Sequence, residues 1–225
     1  MRRLKVAFYW TIKTIAWPVT RAYVRLRVIG GGNVPATGPC LLVANHVSFV
    51  DPVVLGSAFP RRIIFMITRP IYRLRRLTWF YYMMDTIPVA FDVPDPGAMK
   101  AALRALRAGR VVGIFPEGQR MPDGNLGQGK SGAAMIAARS GAPVIPAAII
   151  GAHGVMPVGS AFPRPRQVRV VFGEPFRFLP YEGRRPPREQ MDAFADRIMQ
   201  SIADLMTPEE AAMDAPAGTR RRSSG

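Results

Sequence analysis

Histidine is the side chain best suited to move a proton near neutral pH, and this chain has two, His46 and His153. His46 lies in Asn45-His46-Val47-Ser48-Phe49-Val50-Asp51-Pro52, directly after the apolar run Cys40–Ala44. Asp51-Pro52 reads as a helix start, with Asp as N-cap and Pro in the first turn. On one continuous helix, residues five apart point about 140° away from each other. His46 and Asp51 therefore meet only if His46 occupies the turn ahead of the helix. The carboxylate then holds one imidazole nitrogen and leaves the other to take a proton from a hydroxyl. A turn histidine beside an ordinary N-cap aspartate fits the same letters, and spacing alone does not separate the two.

A second group, Phe115-Pro116-Glu117-Gly118-Gln119-Arg120, follows the apolar run Val111–Phe115. Arg120 offers a planar fork suited to phosphate or carboxylate. Glu117 can accept hydrogen bonds from a polyol or orient Arg120, and a Pro-Gly turn with solvated charges is the plainer alternative. Gly124–Ser131 fits the nucleotide-binding pattern G-x-x-x-x-G-K-S letter for letter. That pattern needs a strand running straight into its first Gly, whereas Pro116–Asp123 intervene and no apolar strand ending in Asp follows. A mobile Gly-rich loop ahead of a helix is expected instead, with nucleotide binding as the lesser alternative. His153 reads as a turn residue and Cys40 as core.

These residues need a scaffold. The runs 40–44, 62–67, 111–115, 144–150 and 168–172 are nearly continuous apolar stretches, which indicates strands buried on both faces. Helices are expected over 52–58, 70–82, 97–108, 130–139 and 187–206. Strands alternating with helices predict an α/β fold, a mostly parallel central sheet flanked by helices. His46 and the 115–120 group then emerge at the carboxyl edge of that sheet, where such folds bind ligands.

With 31 Lys+Arg against 15 Asp+Glu, the chain carries a net charge of +16 and favours anionic surfaces. No acid precedes Asp51, while Arg2, Arg3, Lys5, Lys13, Arg21, Arg25 and Arg27 do. One Cys leaves no disulfide framework and no thiolate zinc site. No groove-reading module accompanies the arginines, so nucleic acid is not an expected partner. Over residues 4–28, Phe8, Ile12, Ile15, Val19, Tyr23 and Leu26 recur at helical spacing. Lys13 interrupts the apolar run before it is long enough to span a bilayer. Trp10, Trp17, Tyr9 and Tyr23 interleave with cations, the pattern of an amphipathic helix lying on a membrane surface. Pro18 is expected to kink or divide it. The organisation expected is residues 1–29 as an N-terminal interfacial helical segment, 30–206 as the α/β domain, and 207–225 as a disordered tail.

His46-Val-Ser-Phe-Val-Asp51, Phe115-Pro-Glu-Gly-Gln-Arg120 and Val144-Ile-Pro-Ala-Ala148, in this order, resemble the glycerolipid acyltransferases of the 1-acyl-glycerol-3-phosphate (lysophosphatidic acid) acyltransferase family. The resemblance covers about residues 30–180. It implies an O-acyltransferase of phospholipid biosynthesis. His46 would be the general base and Asp51 its support. Glu117, Gly118 and Arg120 would hold the acceptor's polar head, and Ile145 and Pro146 would help form the acyl side. The implied partners are a lyso-lipid acceptor, acyl-CoA or acyl carrier protein as donor, and the cytoplasmic face of the cell membrane, held peripherally or monotopically. No metal or redox cofactor is implied. The sequence departs from the family pattern in several places. Gln119 and Met121 replace Thr and Ser. Asp85 stands where the family has Gly, and Phe91 about where it has an Arg thought to bind acceptor phosphate. Thr68 and Arg69 follow a strand that a Lys commonly follows. These departures open the acceptor to another lyso-lipid, such as an aminolipid precursor.

Overall fold

The computed structural model describes residues 1–90, 93–121, 124–157, 160, 162–181 and 186–206. The tail expected over 207–225 lies outside the described residues, as does Phe91. Seven strands form one sheet: β1 (Arg27–Ile29), β2 (Cys40–Ala44), β3 (Ile63–Thr68), β4 (Ile87–Val89), β5 (Val111–Ile114), β6 (Val144–Ile150) and β7 (Arg169–Phe172), in the order β1-β7-β6-β2-β5-β3-β4. Every neighbouring pair is parallel except β6 with β7. This is the expected α/β fold with a mostly parallel sheet. The helices are α1 (Arg2–Tyr23), α2 (Asp51–Ala58), α3 (Arg69–Tyr72), α4 (Thr78–Met83), α5 (Pro96–Arg107), α6 (Gly132–Ser140) and α7 (Arg188–Asp204).

Alternation along the strands feeds two cores. In β2, Leu42 and Ala44 join Val54, Leu55 and Phe59 of α2 on one face. Leu41 and Val43 join the alanine-rich sides of α5 and α6, and Phe194, Ile198 and Ile202 of α7, on the other. Both faces of β2 are thus covered, which is why its burial is unbroken from Cys40 to Ala44.

Three local expectations change. α1 runs unbroken through Pro18. Pro18 removes one helical N–H, but the helix is held on either side. The Ile63 N–H donates to the Tyr9 hydroxyl at 3.2 Å, Lys13 Nζ donates to the Phe59 carbonyl, and Thr20 Oγ1 donates to the Trp17 carbonyl at 3.1 Å. Helix also stops at Tyr23 rather than 28. Arg25 adopts φ 45°, and the chain enters β1 with Leu26 buried, so β1 belongs to the sheet and not to the N-terminal segment. Leu26, a buried apolar residue ahead of a strand, fits the helical spacing by coincidence. The single helix expected over 70–82 is two. Thr78 Oγ1 donates to the Tyr72 carbonyl at 3.1 Å, and closely spaced arginines between α3 and α4 find no helix-stabilising acid. No helix among the described residues is long and apolar enough to cross a membrane.

Candidate active site

β2 ends at Ala44, and the next residue anchors the edge. Asn45 is fully buried; its amide donates to the Ile149 carbonyl at 3.0 Å and accepts from the Ile149 N–H at 2.7 Å. This tie fixes where the chain leaves the sheet. His46 follows on the turn, ahead of α2, as the spacing argument requires. Its Nδ1–H donates to Asp51 Oδ2 at 2.8 Å. The same oxygen accepts the Val47 and Ser48 N–H groups, each at 2.7 Å. Asp51 is fully buried, whereas the His46 side chain keeps 20% of its exposure. The carboxylate is therefore held at the helix start with its charge compensated by backbone donors. It fixes the tautomer in which His46 Nε2 is the basic nitrogen.

The loop after β5 clasps His46 from the other side. Glu117 is 3% exposed, and its carboxylate accepts the His46 N–H at 3.2 Å and the Gly127 N–H at 3.4 Å. The His46 carbonyl accepts the Met121 N–H at 2.7 Å. Glu117 is thus turned inward to tie the loop to the histidine. In this arrangement its carboxylate is engaged by backbone donors. Met121 contributes its backbone N–H, which any residue but proline supplies, and its side chain lies against Gly127. Gly118 takes φ 71°, and the Lys130 side chain passes where its Cβ would stand. Arg120 rests its guanidinium 3.7 Å from the centre of the exposed Phe49 ring, at the mouth of the site.

His46, Asp51, Glu117, Gly118 and Arg120 therefore converge at one sheet edge. Ile145 and Pro146 do not. They pair with Leu42 and Val43 inside the sheet, and Ile145 is fully buried in the core facing α2. They are strand interior, below the edge that holds His46 and Asp51. Sequence reasoning missed Asn45 and Phe115. Asn45 is a polar residue closing an apolar run. The Phe115 ring stacks on His46 with centroids 4.3 Å apart.

The nucleotide-loop match does not form a phosphate cradle. β5 ends at Ile114, ten residues before Gly124, and α6 begins only at Gly132. The Lys130 N–H closes onto the Pro116 carbonyl at 2.8 Å. His153 is exposed and lies against Gly124. The second-block substitutions also have structural homes. Asp85 stands in the left-handed region at φ 64°, where Gly or Asp is tolerated. It pairs with Lys5, Arg62 and Arg110 at 3.1, 3.3 and 3.7 Å. A shallow cavity of about 300 Å³ beside it lies at the amino edge of the strands, opposite His46. Arg69 pairs with Asp95 at 2.7 Å.

A family model described as Acyltransferase matches residues 25–150. A 1-acyl-sn-glycerol-3-phosphate acyltransferase of Bacillus subtilis (strain 168) is 28% identical over 182 residues, covering 80% of this chain and 87% of that protein. The chloroplastic 1-acyl-sn-glycerol-3-phosphate acyltransferase BAT2 of Brassica napus is 32% identical over 157 residues, 68% of this chain but 45% of that longer protein. The crystal structure of the 1-acyl-sn-glycerophosphate acyltransferase PlsC from Thermotoga maritima has the same fold, with a TM-score of 0.69 at 24% identity over 91% of this chain and 83% of that one. With its family match spanning more than half of its length, and with His46 and Asp51 joined at the sheet edge inside that match, the chain belongs to the acyltransferase family.

Proposed function

We propose that this protein transfers a fatty acyl group from an acyl thioester, acyl-CoA or acyl carrier protein, to the hydroxyl of a lyso-lipid in phospholipid biosynthesis. The acceptor proposed is 1-acyl-glycerol-3-phosphate, for which its relatives are named. The observation that carries the reading is the 2.8 Å contact from His46 Nδ1 to the buried Asp51 carboxylate. His46 Nε2 takes the hydroxyl proton as the acceptor oxygen attacks the thioester carbonyl carbon. The C–S bond then breaks, the ester forms, and the leaving sulfur recovers the proton from His46. Asp51 stabilises the imidazolium between these steps. The seat of Arg120 on Phe49 at the mouth of the site supports a role for it in meeting the acceptor's anionic head. The membrane face proposed is the cytoplasmic one; attachment to a membrane surface is supported by exposed Trp10, Ile15, Trp17 and Val19 on α1 and Trp79 on α4. Phe8 joins the two helices by an edge-on contact with Trp79 at 6.0 Å. Aromatic and aliphatic groups beside cations suit an anionic lipid interface.

A different lyso-lipid head, such as an aminolipid precursor, is the second reading. The capture of Arg69 by Asp95 favours it, because a cation in reach of the second block is thereby engaged. The test is acyl transfer to a panel of lyso-lipids from both donors, wild type against His46→Ala. Loss of about 10²–10⁴-fold in kcat/KM is expected. An unchanged rate refutes the assignment, and the preferred acceptor decides between the heads.

A further inference from the structure

The catalytic histidine is held by more than its carboxylate. The Phe115 ring lies nearly parallel to the His46 imidazole, with centroids 4.3 Å apart and planes 17° from parallel. Behind it the Phe65 ring is stacked on Phe115 at 6.0 Å and 6°. Phe65 is 8% exposed and sits on β3 directly opposite Gly113 of β5. A Cβ on Gly113 would stand 2.9 Å from Phe65 Cδ1 and 2.7 Å from Ile63 Cγ2. Gly113 thus seats Phe65, Phe65 backs Phe115, and Phe115 faces His46.

We propose that Phe115 is a positioning residue for His46 and that Phe65 and Gly113 support it. The hydrogen bond to Asp51 fixes one atom of the imidazole and leaves rotation about that axis open. The flat face of Phe115 closes that freedom and aims Nε2. When His46 takes the acceptor proton, the electron-rich ring face also meets the new positive charge, as aromatic faces do for cations. The charged groups around the imidazole are Asp51 from α2, in direct contact, and Glu117 from the loop after β5, on the His46 backbone N–H. Arg120 of that loop is seated on Phe49. Phe115 contributes a neutral face between them. The proposal rests on His46 acting as general base, and its test separates the two claims.

The chain has two histidines, so ¹³C-histidine labelling gives two ring signals, which a His153→Gln variant assigns. In the resting protein the His46 ring protons are expected to be displaced upfield by the ring current of Phe115. Phe115→Tyr keeps the displacement, Phe115→Leu abolishes it, and Phe65→Leu reduces it. In acyl transfer, Phe115→Leu lowers kcat about 10-fold or more through lost aim, with acceptor KM little changed. Phe115→Tyr restores kcat. A His46 signal indifferent to Phe115→Leu overturns the proposal. So does a kcat loss shared equally by the Tyr and Leu variants, since that marks a volume effect. Ring-current displacement in a protein inert toward every acceptor supports the stack and overturns the functional reading.

Discussion

Asp51→Asn separates the charge of the carboxylate from its shape. Oδ2 of Asp51 accepts three hydrogen bonds, from the Val47 and Ser48 N–H groups at 2.7 Å each and from His46 Nδ1 at 2.8 Å. Oδ1 is buried with no hydrogen-bond partner among the described residues. An asparagine that places its carbonyl oxygen at the Oδ2 position keeps both backbone bonds. It also puts its amide into the unpartnered Oδ1 position, at a stability cost of about 1–3 kcal/mol for an unpaired buried donor. Asp51→Ala leaves two backbone donors unpaired and costs about 2–6 kcal/mol, so it tests folding rather than chemistry. The catalytic loss in the Asn variant comes from the charge. At an effective dielectric of about 20, opposite unit charges 2.8 Å apart attract by about 6 kcal/mol. This is an upper limit for what the imidazolium loses, since the amide oxygen still accepts a hydrogen bond. A fall in kcat of about 10²–10⁴-fold, equivalent to about 3–5 kcal/mol, fits beneath that ceiling. Single-turnover acyl transfer on protein shown by urea unfolding to be folded is the assay. An Asn variant that is folded and retains more than about a tenth of the wild-type rate would refute the assignment of Asp51 to imidazolium stabilisation.

Three further outcomes follow from particular contacts. Asn45→Ala leaves the Ile149 N–H and carbonyl unpaired in the sheet, so its urea midpoint should fall by the equivalent of about 2–6 kcal/mol; an unshifted midpoint contradicts the anchoring role. Burial pushes the Cys40 thiol up to about 11, so iodoacetamide at pH 8 should label it only after denaturation. Backbone N–H groups of Ala98 and then Ala90 hold the Asp95 carboxylate below its ordinary value of 3.8. Its contribution is therefore complete above that value and lost as the pH falls through the lower folded value. The stability gap between wild type and Asp95→Asn should be constant near neutral pH and close below pH 3.8, which acid titration of the urea midpoint measures.

Much of this was legible in the sequence because burial on both faces leaves a plain mark. The five apolar runs are β2, β3, β5, β6 and β7, each displaced by at most a residue or so. The three-residue edge strands β1 and β4 were not legible, since an edge strand of that length carries no periodicity to read. The His46–Asp51 contact was deducible from helix geometry once the turn was placed. The inward role of Glu117 was not, because a carboxylate that ties backbone and one that binds substrate have the same letter and the same neighbours. Ile145 and Pro146 enter the acyl side only through the family resemblance, and in β6 they stand level with Leu42 and Val43, below the strand ends.

The uneven charge of the chain follows from where its few acids go. In the first 120 residues, Asp51 collects two backbone donors and His46, and Asp85 collects Lys5, Arg62 and Arg110. Asp95 collects two backbone donors and Arg69, and Glu117 holds the N–H groups of His46 and Gly127. Each of these carboxylates is directed inward or across elements: Asp51, Asp95 and Glu117 fix a turn, a cap and a loop at the carboxyl edge that holds His46, and Asp85 ties α1 to the opposite, amino edge. Arginines and lysines of that half far outnumber its acids, so the outward field there is positive. On the proposed function, anionic headgroups and a phosphorylated or acidic acyl donor would be attracted by that field. The same placement predicts that acyl transfer on anionic vesicles weakens as salt is raised, by screening over about 10 Å at 0.1 M. The internal ties of Asp51 and Glu117, being buried, should keep the site assembled throughout.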